Sequence, residues 1–299
     1  MDKASVLRTL KTIFDDNQIL TDEPMKNHTS FRIGGMADFM VKPRDAGQIA
    51  ALVKTRGGVP LFVAGNGSNL LVSDDGIRGV VVKIRETMRK ITADGDTLVC
   101  ESGALLSEIA AFALRHSLGG FEFAAGIPGT LGGAVVMNAG AYGGEMKDVT
   151  VLTEYVDEHG EIRETDAHGF GYRTSVFSGK NCMITKSRLR LRAGNPQEIR
   201  AKTRELAQAR REKQPLDRYS AGSTFKRPEG YFAGKLISDA GLRGYRIGGA
   251  AVSAKHCGFI INENNATCED VLALIAHVRD EVRRQFGVCL EIEVKLCGL

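Results

Sequence analysis

Several things are missing from this 299-residue chain, and each absence narrows what it does. Its six cysteines, at 100, 182, 257, 268, 289 and 297, include no C-x-x-C pair, so no zinc site is expected and no metal ligand set is assigned. No run of about 18 apolar residues occurs, which excludes a membrane-spanning helix of the usual kind. The opening stretch MDKASVLRTLKTIFDDN has the spacing of an amphipathic helix and lacks the apolar core of an export signal. A reduced, cytoplasmic protein is expected. The net charge is only +4, and the cations are scattered apart from RELAQARREK (204–213). Nucleic acid would call for a stronger and more clustered footprint, so no nucleic-acid partner is expected. There is also no internal repeat, heptad run or low-complexity tail.

What is present is glycine, 35 residues of it, with no G-x-y period. Glycine at that frequency signals tight turns and close backbone approaches. Hydrophobic residues at 43% and charged residues at 25% are ordinary for a soluble domain. The length suits two domains, or one large domain with an annexe.

Hydrophobic periodicity places helices over 4–14, 45–58, 105–120 and 195–215, a short helix near 231–240 and a long final one capped by Thr267. Strands are expected at 36–43, 60–65 and twice within 69–84. Hairpins are expected at 91–103 and 149–164, with further strands at 182–192 and 289–298. The stretch 123–145 reads as a long glycine-rich loop. The fold class is therefore α+β.

Three groups of residues stand out. In VAGNGSNLLVSDDG (63–76), a buried strand runs into Gly65, Asn66, Gly67, Ser68 and Asn69. Successive N–H groups freed by glycine can form a nest for phosphate oxygens. A plain hairpin turn is the competing reading. In GIPGTLGGAVVMNAGAYGGE (126–145), Gly126, Ile127, Pro128, Gly129, Thr130 and Gly133 suit close approach to a flat ligand. A loop that long inside a compact domain is usually functional or disordered, and its apolar residues argue against disorder. The third group is dispersed: GYRTSVF (171–177), AGSTFKRP (221–228) and LEIEVK (290–295). Ser223 at its centre fits a nucleophile, a phosphate ligand, a proton donor or a turn residue. A-G-S-T-F is not the G-x-S-x-G elbow and no His–Asp pair is evident, which disfavours the nucleophile. The residues alone indicate binding of something phosphorylated.

Taken in order, N-H-T-S-F-R-I-G-G, G-N-G-S-N-L-L, G-I-P-G-T-L-G-G-A-V-V-M-N-A-G-A-Y-G, Y-R-T-S-V-F, A-G-S-T-F-K-R-P and L-E-I-E-V-K resemble the UDP-N-acetylenolpyruvoylglucosamine reductase family. The resemblance runs from about residue 27 to the C-terminus, and the first glycine turn looks like the pyrophosphate loop of vanillyl-alcohol-oxidase (PCMH) type flavin domains. The chain is short and lacks room for the extra segment of the longer class, so it looks like the shorter class.

That resemblance implies a two-lobed FAD-binding domain over 1–194, with lobes of about 1–84 and 85–194. A smaller α+β substrate domain follows over 195–299. It implies noncovalent FAD, NADPH as co-substrate, and reduction of an enolpyruvyl ether to a lactyl ether on a UDP-sugar. Three catalytic roles fall on this chain. Arg173 and Glu293 stabilise the enolate, and Ser223 gives the proton. Lys226 and Arg227, just beyond the serine, would favour its alkoxide. The glycine turns above, with Arg32, are the implied cofactor contacts. Tyr172, Lys213, Lys226, Arg227 and Asn264 are the implied substrate contacts, and Tyr142, like Tyr172, lines the substrate or flavin pocket. Many members of that family carry Asn where this chain has Arg227, which suits a substrate phosphate. The partners implied are small molecules, with a monomer expected and no membrane insertion. The rival readings are an FAD oxidase of the same fold, a nonenzymatic nucleotide-binding module and a scaffold protein.

Overall fold

A computed structural model describes residues 2–299. It is α+β throughout and divides into two compact units. The first comprises residues 2–21, Phe39–Asn66 and Gly79–Arg210. The second comprises Asp22–Asp38, Gly67–Arg78 and Arg211–Leu299. Two short early segments thus belong with the C-terminal third.

The first unit has two cores. One is built from Leu10, Phe39, Ile49, Leu52, Val80 and Val82 with Val156 and Met183. It buries one face of helix Ala46–Thr55, whose N-cap Asp45 accepts a hydrogen bond from the Gln48 N–H at 2.9 Å. Against it, strand Leu61–Ala64 runs parallel to Val80–Lys83. The other core lies under a five-stranded antiparallel sheet, ordered Ile162–Thr165, Thr150–Val156, Met183–Arg190, Thr97–Glu101, Ile91–Asp94. Helices Leu106–Arg115 and Leu131–Val136 contribute Leu106, Ile109, Leu131 and Val135 to it. The second of these helices falls inside the stretch that reads as a loop in sequence. Leu131, Ala134 and Val135 are buried one turn apart, and Gly132 and Gly133 conceal that period.

The second unit packs helix Cys268–Phe286 on a four-stranded antiparallel sheet of Tyr219–Ser220, Ile260–Asn262, Ala250–Val252 and Arg246–Ile247. Val271, Leu274, Ile275, Val278 and Val282 form the helix's buried stripe. Thr267 caps it, accepting from the Asp270 N–H at 3.0 Å. The expected C-terminal strand over 289–298 is regular only over Lys295–Cys297. The reason is a change of partner. Glu291 and Glu293 pair with the 224–226 segment, and Lys295–Cys297 then runs parallel to Leu70–Val72. All six cysteines are free thiols.

Candidate active site

The two glycine turns meet in the first unit. A Cβ on Gly65 would collide with Thr130 Oγ1, so the main chain at 65 lies directly against the second turn. Asn66 Nδ2 donates to the Pro128 carbonyl at 2.6 Å. The second turn is itself pinned: Leu131 N–H to Ala104 O, Gly132 N–H to Ser102 O, and Leu106 N–H to Gly129 O, at 2.9, 2.9 and 3.1 Å. The hairpin reading of 65–69 is excluded, because Leu61–Ala64 pairs with Val80–Lys83 and Leu70–Val72 pairs with the C-terminal strand.

Polar groups that the sequence did not single out gather around these turns. The Lys83 amine donates to Gly65 O at 2.8 Å. Lys83 is 4% exposed, and burial lowers its pKa to about 8. Ser102 Oγ and Arg210 Nε are buried with no hydrogen-bond partner. The Arg210 side chain lies 3.1 Å from where a Gly126 Cβ would stand, and burial depresses the pKa of its guanidinium. Buried polar atoms are nearly always paired, so unpaired ones beside a glycine turn mark a place built for a polar ligand. A lysine is an ordinary core-edge residue in sequence; only the fold reveals these three.

Arg173 belongs to the same unit. It lies in a tight turn closed by the Gly171–Thr174 bridge, with left-handed backbone at φ +56. Its guanidinium stacks on the Tyr172 ring at 5.2 Å. Asn138, fully buried, holds the turn: Nδ2 donates to Gly171 O and to Glu145 Oε2, both at 3.0 Å. Ser175 Oγ also donates to Val136 O at 2.7 Å. The Arg173 turn is thus braced on the end of the second glycine motif. The Glu145 carboxyl is held below its usual range, chiefly by Lys147, with Asn138 and the Arg173 charge adding to the effect. Tyr142, half-exposed, also has left-handed backbone. Such conformations cost energy in non-glycine residues and gather at functional sites.

Ser223 and Glu293 come together in the second unit. Thr224, next to the serine, is 1% exposed and fully bonded. Its N–H donates to Gly258 O at 2.8 Å, its Oγ1 accepts from the Ile260 N–H at 3.0 Å, and its carbonyl accepts from the Glu293 N–H at 2.8 Å. Phe225 bridges Ile292. Asn69 joins this group, donating from Nδ2 to Glu293 O at 3.2 Å and accepting from the Lys295 N–H at 2.8 Å. Asn66 and Asn69 therefore brace the fold with their amides, and Gly67 O accepts from the Ser30 N–H at 3.2 Å. Gly67, at φ +70, has no room for a Cβ against His28 O. Lys226 pairs with Glu291 at 2.9 Å.

The remaining candidates are more dispersed. Arg32, left-handed at φ +58, lies over Tyr219 at 5.7 Å. Lys213 is exposed at the end of helix Pro196–Lys213. Asn264 is exposed in a turn whose N–H donates to Gly249 O at 3.1 Å. No group of three or more metal-ligating side chains occurs among the described residues, and no helix is long and apolar enough to cross a membrane.

These features define a flavoprotein oxidoreductase. Residues 37–166 match an FAD-binding domain family, and residues 214–297 match the C-terminal domain of UDP-N-acetylenolpyruvoylglucosamine reductase. The fold is shared with Phl p 4.0202, a glucose dehydrogenase, at TM-score 0.50 and 18% identity, over 64% of this chain and 44% of that one. A reductase from Caldanaerobacter subterraneus is 52% identical over 97% of both chains. The crystal structure of UDP-N-acetylenolpyruvylglucosamine reductase from Thermus caldophilus matches at TM-score 0.80 and 33% identity, covering 93% of this chain and 98% of that one. The chain belongs to the UDP-N-acetylenolpyruvoylglucosamine reductase family and is an FAD-dependent enzyme.

Proposed function

We propose that this enzyme uses NADPH to reduce the enolpyruvyl ether of UDP-N-acetylglucosamine enolpyruvate to UDP-N-acetylmuramate, in the cytoplasm, for peptidoglycan precursor synthesis. The observation that carries the reading is the main-chain pairing of Glu293 with Thr224, at 2.8 Å, which puts the glutamate beside the Ser223 turn. Residues 1–194 serve as the FAD domain and 195–299 as the substrate domain.

The residues present fit noncovalent FAD. Gly65 and Gly126 stand where a Cβ would crowd Thr130 and the Arg210 side chain, and Lys83, Ser102 and Arg210 bring a cation, a hydroxyl and a guanidinium to the turns of the first unit. Bound there, FAD would supply hydride transfer from NADPH to the enolpyruvyl methylene carbon. Arg173 holds the substrate carboxylate through its planar fork. Arg173, with Glu293 protonated or bridged to a cation because two carboxylates repel, stabilises the charge that builds on the adjacent carbon and carboxylate, where fixed groups contribute most. Ser223 Oγ gives its proton to that carbon. Lys213, Lys226, Arg227, Tyr172 and Asn264 bind the rest of the UDP-sugar.

The test is a visible spectrum under anaerobic conditions. The purified protein should be yellow, bleach with NADPH, and recolour with the enolpyruvyl substrate. Recolouring with air but not with substrate would overturn the reductase reading in favour of an oxidase. Flavin that stays with acid-precipitated protein would show covalent attachment instead.

A further inference from the structure

The Arg173 turn has a second anchor, in a buried polar chain that the mechanism above does not use. His168, Thr153 and Ser187 are all buried in the first unit. His168 Nε2 meets Thr153 Oγ1 at 2.9 Å, Thr153 Oγ1 meets Ser187 Oγ at 2.9 Å, and His168 Nδ1 meets the Asp166 carbonyl at 2.9 Å. A carbonyl only accepts, so Nδ1 carries the ring hydrogen. Nε2 is then a lone pair that takes the Thr153 hydroxyl hydrogen, and Thr153 Oγ1 accepts from Ser187. Burial pushes the imidazole pKa down, so the ring is neutral at pH 7 and the chain runs in this direction. Both ring nitrogens are thereby paired. The ring lies flat on Phe170 at 4.8 Å, with Phe177 edge-on at 6.4 Å.

The chain joins a loop to the sheet. Thr153 and Ser187 are register partners on the neighbouring strands Thr150–Val156 and Met183–Arg190. The His168 carbonyl accepts from the Val176 N–H at 2.8 Å, which closes the loop 168–176 around Arg173. Within that loop Gly169 and Arg173 are left-handed, at φ +53 and +56. A non-glycine residue keeps such a conformation only where its surroundings over-determine it. Two hydroxyls and an imidazole are a costly way to fill space that apolar side chains could fill. Fully paired, they fix one geometry. Asn138 holds the tip of the loop at Gly171 O, and His168 holds its base. We propose that His168, oriented by Thr153 and Ser187, is a positioning residue that keeps the Arg173 guanidinium in place for the substrate carboxylate. This rests on the reductase reading and adds to it the buried group through which the sheet sets Arg173.

The experiment compares the two half-reactions of the flavin-loaded enzyme in stopped flow. His168→Phe keeps the stack on Phe170 and removes both ring hydrogen bonds. It should slow recolouring by the enolpyruvyl substrate about tenfold, the cost of a displaced group, and leave bleaching by NADPH unchanged. Thr153→Val breaks the chain from its other end and should do the same, with the double variant no worse than either single one. His168→Gln, whose amide oxygen can take the Thr153 hydrogen, should recover most of the rate. Native recolouring in His168→Phe overturns the proposal, as do equal slowing of both half-reactions and a harmless Thr153→Val. If His168→Phe loses its flavin or melts early, Thr153→Val, which leaves the ring in place, carries the same test. Amide exchange at Thr174 and Val176 needs no substrate and should quicken in both variants. Unchanged exchange also overturns the proposal. Native enzyme that does not recolour removes the reductase reading, and the exchange result still decides whether His168 sets the Arg173 turn.

Discussion

At Gly65 the main chain touches Thr130 because no Cβ intervenes, whereas Thr224, next to Ser223, is held by hydrogen bonds at its N–H, its carbonyl and its Oγ1. The first turn is shaped by exclusion. Its side chains are absent or, as with Asn66, used as braces. The second turn is shaped by pairing, through the main chain of Thr224 and Glu293. The comparison separates what mutation does. A change at the glycine turn should alter packing and cofactor retention, while Ser223→Ala should alter the proposed reaction and spare the fold.

The largest expected effect tests the second half of that contrast. Ser223→Ala should cut turnover about 10³-fold, within the range of lost proton transfer, and leave flavin content and bleaching by NADPH intact. Stopped-flow spectra of the two half-reactions measure this directly. Normal recolouring by substrate would remove Ser223 from the mechanism.

Asn138→Ala sharpens the contrast in the first unit. It removes one of the two donors to the half-buried Gly171 O, leaving the Thr174 N–H at 3.4 Å, and it removes the acceptor of the Lys147 N–H, which lies at 2.9 Å. The loss should be about 3 kcal/mol in urea unfolding, with a rise in substrate KM as the Arg173 turn loosens. A variant that loses stability with KM unchanged would make Asn138 a brace for the fold alone.

Gly65→Ala should cost about 1–3 kcal/mol through overpacking and lower the flavin content of the purified protein. Thr130→Ala removes the atom the new methyl would strike, so the double variant should recover part of the loss. Additive losses in the double-mutant cycle would mean that the contact with Thr130 is not what shapes the turn.

How much of this was legible depended on how local each cause is. The Asp45 and Thr267 caps and the buried stripe of helix Cys268–Phe286 follow from spacing within one helix, and the sequence displays them directly. The pairing of Glu293 with Thr224 joins residues far apart in the chain, and only motif resemblance hinted at it. Helix Leu131–Val136 was hidden because its glycines break the apolar period. The partner switch between Glu293 and Lys295 was hidden because an alternating pattern looks the same whichever strand it pairs with. Left-handed backbone at Arg32, Tyr142 and Arg173 has no residue signature, whereas Asn138 is of a type that favours it. Lys83 is the sharpest case, since a lysine ending a strand reads as solvated.

Lys83 also gives the smallest effect and a defined pH signature. Its pKa falls from 10.5 to about 8 through burial, only partly offset by the neighbouring Glu86 charge. The unfolded chain therefore holds the proton through the window between those values while the folded chain releases it. Stability of the flavin-free protein rises with pH across that window, because a burial cost of about 3 kcal/mol at neutral pH is relieved. Flavin binding runs the other way. Below pH 8 the ammonium lies behind Gly65 and favours an anionic ligand; above it, that charge is gone. Flavin affinity should fall about tenfold from pH 7 to pH 9 in the native protein, the size of one lost charge interaction. In Lys83→Met it should be weaker at pH 7 and flat across the same range, as read by flavin fluorescence titration. An equal pH slope in both proteins would assign the titration to another group and leave the Gly65 turn held by shape alone.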